Sequence, residues 1–197
     1  KKKPIYSSGV KINFRDQIYY ETQSEINNLD IHEFKQIPNG NYLGLNKFWN
    51  LGVIPVGYWT ETFQSLGYIA DGIVNEFLWL GIGLVEIDHE SNSVIMTWNP
   101  FDYLDTNNYD SLGPTWFNAV HSGYFDWTHS NAFSFDQINK MLYVSHRHLS
   151  RISKISYPSG EVIWNIGMPA EYNTGEDNIC TDLGNSFQHN IQLLEDG

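Results

Sequence analysis

Four residues stand out because their types and spacing suit one kind of chemistry. His32, His129 and His189 each head a phrase of alternating residues: His32 to Gln36 before Ile37-Pro38-Asn39-Gly40, His129 to Asp136 before a turn at Gln137 to Lys140, and His189 to Leu194 before Glu195-Asp196-Gly197. Arg147 closes the strand expected at Met141 to Ser145, in the phrase Ser145-His146-Arg147-His148. Three imidazoles and a guanidinium suit an oxyanion, because arginine offers a rigid fork of donors and histidine can donate or accept. Sulfate fits that inventory. Asn131, two residues beyond His129 on the same strand face, either binds the anion or satisfies nearby backbone. The same three imidazoles would also suit zinc, copper or iron, but a guanidinium in the pocket argues against a cation, so no metal and no cofactor are expected. His146 and His148 flank Arg147, and strand alternation points both away from it. Glu33 alternates away from His32 in the same manner, and His89 and His121 fall in turn or loop.

Residues this far apart meet only if a repeated element brings them together. Asn-Gly and Asp-Gly supply the positive φ angles of a two-residue hairpin, so the histidine phrases read as a first strand turning into a second. Further strands also repeat. Leu84 to Asp88 is followed by a polar turn and Val94 to Asn99, and Ile152 to Ser156 by Pro158-Ser159-Gly160 and Glu161 to Asn165. Trp98 and Trp164 recur in the last of these strands and are expected in the core. Four short strands per unit is the pattern of a β-propeller blade, whose first strand lines a central channel. The expected fold is all-β: two full blades, parts of two others, and a ring completed by a longer chain or a partner chain. Residues 1–29 would end a preceding blade, with Gln17 to Glu21 its better strand. Residues 30–100 would form a blade with an insertion at about 49–79, 101–124 a loop, 125–167 a blade, and 168–197 a loop and the start of the next. The insertion and 102–124 read as long loops over one face. There Tyr58, Trp59, Trp116, Phe117 and Phe125 would either stack on an aryl group or pack the loops.

Composition bounds the partners. The 197 residues carry 41% apolar and 15% aromatic side chains with 16 glycines, which suits pleated surfaces and turns. Twenty-three acidic against 11 basic residues leave a net charge of -12, which would repel a phosphate backbone, so nucleic acid is an unsuitable partner. Lys1-Lys2-Lys3 reads as a solvated end. The single cysteine, Cys180, closes no intrachain disulfide, and the apolar run Phe77 to Val85 is too short for a bilayer. No glycine-rich phosphate loop, zinc-binding His-Glu motif or serine elbow is present.

Several phrases resemble the bacterial arylsulfate sulfotransferase (ASST-type, PAPS-independent) family. Asp126-Trp127-Thr128-His129-Ser130-Asn131 is similar to that family's Asp-Trp-x-His-x-Asn segment, and Arg147 follows His129 at the matching distance of 18 residues. His32 with Pro38-Asn39-Gly40 and Phe187-Gln188-His189 resemble its other histidine segments, the latter carrying the nucleophile. The resemblance implies a six-bladed propeller and a sulfuryl transfer from an aryl sulfate to a phenolic acceptor through a sulfohistidine at His189. His32, His129 and Arg147 would hold the sulfuryl oxygens, and either His32 or His129 would protonate the departing phenolate. It also implies a periplasmic or secreted setting. A propeller that binds an anionic ligand or partner without catalysis is the alternative, since fold alone does not set function.

Overall fold

The computed structural model describes residues 9–12, 18–22, 26, 28–111, 115–168, 179–180 and 184–194. The Lys1-Lys2-Lys3 cluster, Gln17 and the Asp196-Gly197 turn lie outside them. The described chain is mostly β, in antiparallel sheets. A short pair joins β1 (Val10–Ile12) to β2 (Ile18–Glu21). The first large sheet runs in chain order through β3 (Leu29–Gln36), β4 (Tyr42–Val53), β5 (Asn75–Ile87) and β6 (Val94–Trp98). The second runs through β8 (Ser130–Asp136), β9 (Met141–His146), β10 (Arg151–Ser156) and β11 (Val162–Gly167). Between them, β7 (Phe125–Asp126) adds to β5 in parallel, pairing Phe125 with Trp79 and Asp126 with Leu80. None of the described helices is long and apolar enough to cross a membrane.

The stretches expected as loops hold more structure than their composition suggested. β4 and β5 continue as one hairpin from Tyr42↔Ile87 out to Val53↔Asn75, so the 49–79 insertion begins and ends as strand and carries the helix α1 (Thr60–Ser65) between. Within 100–124 lie α2 (Pro100–Tyr103), started by Pro100 and capped by Asn99 Oδ1 accepting from the Phe101 amide at 3.2 Å, and α3 (Thr115–Ser122). These segments carry the aromatic core. Trp59, Trp116 and Phe125 are fully buried, with Phe125 stacked on Trp116 at 3.7 Å and Trp79 4.9 Å from Phe125. They pack the interior and are closed to a ligand, whereas Tyr58 and Phe117 remain exposed, 5.4 Å apart.

The central strand β5 is apolar almost throughout, so both of its faces are covered. Gly81 and Gly83 permit this. A Cβ on Gly83 would meet the Trp98 carbonyl at 2.0 Å, and one on Gly81 would meet Pro100 at 2.8 Å. Between them, Ile82 anchors the second sheet: its amide donates to Thr128 Oγ1 at 2.7 Å and its carbonyl accepts from Ser130 Oγ at 2.5 Å.

The first strands of the two sheets lie side by side. Glu33 of β3 accepts the Phe133 amide of β8, and Lys35 Nζ donates to the Phe133 carbonyl at 3.2 Å, so both backbone groups of Phe133 meet side chains of β3. A second clasp joins the sheets at the far end. Buried Glu86 accepts from Asn41 Nδ2 at 2.7 Å, Asn39 Nδ2 at 3.2 Å and the Tyr157 hydroxyl at 2.8 Å. Burial, then Glu86, pushes the Tyr157 phenol up to about 12.

Trp98 and Trp164 are not equivalent. Leu84 pairs with Trp98 whereas Ile152 pairs with Ile166, and Trp164 lies opposite Lys154 as Met96 lies opposite Glu86. Trp98 is buried under the second sheet, its indole N–H donating to the Gly160 carbonyl at 2.9 Å. Trp164 is only half-buried, beside Tyr143 and Lys154, so its expected core role does not hold.

Candidate active site

The site is assembled where β3, β8 and β9 begin or end against β7. Asp30, two residues before His32 on β3, accepts the His32 Nδ1–H at 2.5 Å, and its other oxygen lies 3.6 Å from Lys47 Nζ of β4. Asp126 does the same for His129, its Oδ2 accepting from Nδ1. Each histidine is thus oriented through Nδ1 by a carboxylate, which leaves Nε2 for other work. The His32 and His129 rings are 5.3 Å apart, edge to face.

His129 sits at a left-handed backbone angle, φ +43°, at the entry to β8. This costs a non-glycine residue of order 1–3 kcal/mol and persists only where neighbours hold it. The neighbours here are Asp126 and the Arg147 amide, which donates to the His129 carbonyl at 3.2 Å.

Arg147 lies at the turn after β9. Its Nε–H donates to His189 Nε2 at 3.0 Å, its Nη1–H reaches His148 Nε2 at 2.8 Å, and its guanidinium covers the Phe187 ring at 4.8 Å. The segment carrying His189 has no strand among its described residues, so the expected opening strand of a further unit is absent from 184–194. Side chains pin it instead. The Asn131 amide donates to the Gln188 carbonyl at 2.8 Å, Gln188 Nε2 donates to the Arg151 carbonyl at 2.8 Å, and the Phe187 amide donates to Ser150 Oγ at 3.2 Å. Asn131 Oδ1 is buried with no partner among the described residues. Its Nδ2 thus meets nearby backbone, one of the two roles expected of Asn131.

His148, expected to point away from Arg147, instead lies against it. Alternation ends with β9 at His146, and the turn that follows swings His148 back beside Arg147. Its ring stacks on His129 at 4.4 Å and its Nδ1–H donates to the Asp126 carbonyl at 2.5 Å. Burial drives its pKa down to about 4, against the opposing pull of Asp126, so the ring is neutral at pH 7. His146 does point away, as expected. It is buried between Ser130 Oγ at 2.7 Å and Ser153 Oγ at 3.1 Å, stacked on Trp98, and burial lowers its pKa to about 3.

All four expected residues therefore join one contact chain, His32–His129–His148–Arg147–His189. It borders a cleft of about 370 Å³ lined by Asp126, His129, Arg147 and His148 on one side and by Asn118, His121 and Ser122 of α3 on the other. His121, expected in a loop, is on this helix and faces the cleft. Tyr124 also lines the cleft, and burial followed by Asp126 and Asp30 holds its phenol above its ordinary pKa.

Ligand atoms of Asp126, His129 and His148 lie within 4.8 Å of one another, close enough for a cation. Yet the His129 and His148 Nδ1 positions serve Asp126, and the Arg147 guanidinium occupies His148 Nε2. His148 is thereby engaged at both ring nitrogens while His129 keeps Nε2 and Asp126 keeps Oδ1, and the adjacent guanidinium charge favours an anion over a cation.

No curated protein matches the chain. The family model Arylsulfotransferase (ASST) matches residues 81–196. That span includes His129, Asn131, Arg147 and His189 and leaves His32 outside it, on the strand β3 ahead of the match. The match covers more than half of the chain, and with it the protein belongs to the arylsulfotransferase (ASST) family.

Proposed function

We propose that the protein transfers a sulfuryl group from an aryl sulfate to a phenol through a sulfohistidine on His189. The observation that carries this reading is the Arg147–His189 hydrogen bond at the end of a histidine chain, within a span matched by the family. Attack of a His189 nitrogen on sulfur forms an N–S bond and breaks the S–O bond to the aryl group, whose oxygen leaves with the electron pair. His32 or His129, steadied through Nδ1 and entering this step with both ring nitrogens protonated, gives its Nε2 proton to that oxygen and is left as the neutral imidazole. An acceptor phenol then gives its proton to the same imidazole and attacks sulfur, breaking the N–S bond. His189 Nε2 receives the Arg147 Nε–H, so a sulfuryl oxygen that takes this donor also releases the lone pair for attack.

Fold and setting belong to the same reading. Two four-stranded meanders with adjacent first strands support successive propeller blades, and family kinship supports a periplasmic or secreted site of action. The test is intact mass and peptide mapping after mixing the protein with p-nitrophenyl sulfate. A sulfuryl adduct on His189 with p-nitrophenol release, both lost in H189A, is expected. A folded protein that binds sulfate but gives neither adduct nor turnover would replace the enzyme with an anion-binding module.

A further inference from the structure

We propose that His148 is a positioning residue that sets the direction of the Arg147 guanidinium and thereby couples it to His129 and His189. This rests on the sulfuryl-transfer reading only for its kinetic consequence; the geometry stands apart from it. His148 Nδ1–H is committed to the Asp126 carbonyl at 2.5 Å, so Nε2 presents its lone pair, and Arg147 Nη1–H donates to it at 2.8 Å. The ring is 8% exposed and held between His129 at 4.4 Å and Phe187 at 5.8 Å, so it has little freedom to turn. Arg147 is therefore gripped at Nη1 by His148, below by Phe187, and at Nε by His189. Remove the first grip and the long side chain regains rotamers that aim Nε away from His189.

The grip works only with a neutral ring, because a protonated Nε2 would face the guanidinium donor to donor. The charged and titratable groups around His148 are Asp126, His129 and Arg147, and its lowered pKa keeps it neutral through the ordinary pH range. Asp126 serves both ends of the arrangement, its carboxylate on His129 and its carbonyl on His148. The two-residue β7, zipped to β5, thus carries the orientation of the first sheet into the site.

The test compares wild type with H148Q, whose amide oxygen can stand in for Nε2 as an acceptor, and H148F, which keeps the ring shape without one. In ¹⁵N-resolved spectra the Arg147 Nε–H signal, assigned with R147K, is expected apart from the solvated arginines in wild type and H148Q. It should collapse onto them in H148F, while the Trp98 indole N–H, bonded to Gly160, stays in place as the control for folding. In transfer from p-nitrophenyl sulfate, H148F should lose about 10²-fold in kcat with KM changed far less, and H148Q should recover most of it. Should H148F fail to fold, H148A carries the same comparison. An Arg147 signal unmoved in H148F, or lost equally in H148Q, overturns the proposal. A protein without transferase activity whose Arg147 signal still follows His148 would sink the enzyme reading alone.

Discussion

Two buried neutral histidines make this fold sensitive to mild acid, and the size of the effect follows from their positions. His146 is fully buried with its pKa near 3, and His148 is almost so with its pKa near 4, against 6.5 in the unfolded chain. Both folded values are depressed. The unfolded chain therefore binds the extra protons, and stability is complete above about pH 6.5 and is lost as pH falls toward 4 and 3. Well below 6.5 each group contributes about 1.4 kcal/mol per pH unit, so going from pH 6.5 to 5 costs roughly 3 kcal/mol from the pair. That is a large share of the ~5–15 kcal/mol typical of a domain. The window is clean, because Asp71, Asp88 and Asp136, held below their ordinary 3.8 chiefly by backbone amides, lose their contribution only at lower pH. The assay is urea unfolding at half-unit steps from pH 7 to 5, on wild type and H146Q. H146Q is less stable at pH 7, having lost the ring that bridges Ser130 and Ser153, but its decline with acid should be about half as steep. Parallel curves would refute the assignment of His146 as a buried neutral ring.

R147K should lower transfer by about 10²–10³-fold, since one ammonium cannot reproduce a planar fork held by both His148 and His189; steady-state release of p-nitrophenol measures it. N131A frees the Gln188 carbonyl and loosens the segment carrying His189, so adduct formation should slow by about 10-fold or more while urea stability shifts by only ~1–2 kcal/mol. E86A leaves Asn41 and Tyr157 without their shared acceptor and should cost about 2–3 kcal/mol. A double-mutant cycle with Y157F should return coupling of ~0.5–3 kcal/mol, and strictly additive effects would show that the clasp between the sheets does not act as a unit.

Local chemistry made much of this molecule legible in its sequence. Period-two alternation with the turns at Gln137 to Lys140 and Pro158-Ser159-Gly160 marked β8 through β11 within a residue or two, because strand pairing in a meander is set by adjacent segments and their turns. The types of the site residues were equally readable, since an arginine and repeated histidines at strand heads suit an anion whatever holds them. What failed were inferences about segments whose structure comes from distant partners. The aromatic stretches at 49–79 and 102–124 look like loops by composition, yet the first extends β4 and β5 and supplies Trp59, and the second forms α3 and supplies Trp116, to a core visible only after folding. Trp98 and Trp164 share a sequence context, but the register of β6 and β11 sets them two residues apart, and only Trp98 lies beneath a neighbouring sheet. His148 was lost because alternation was carried one step too far: the strand ends at His146, and the turn, with Asp126 arriving from the first sheet, brings the ring to Arg147. A sequence can determine which groups are available and which short elements carry them. Which side chains touch depends on where strands stop and on what a separate sheet presents, and those contacts between remote segments exist only in the tertiary structure.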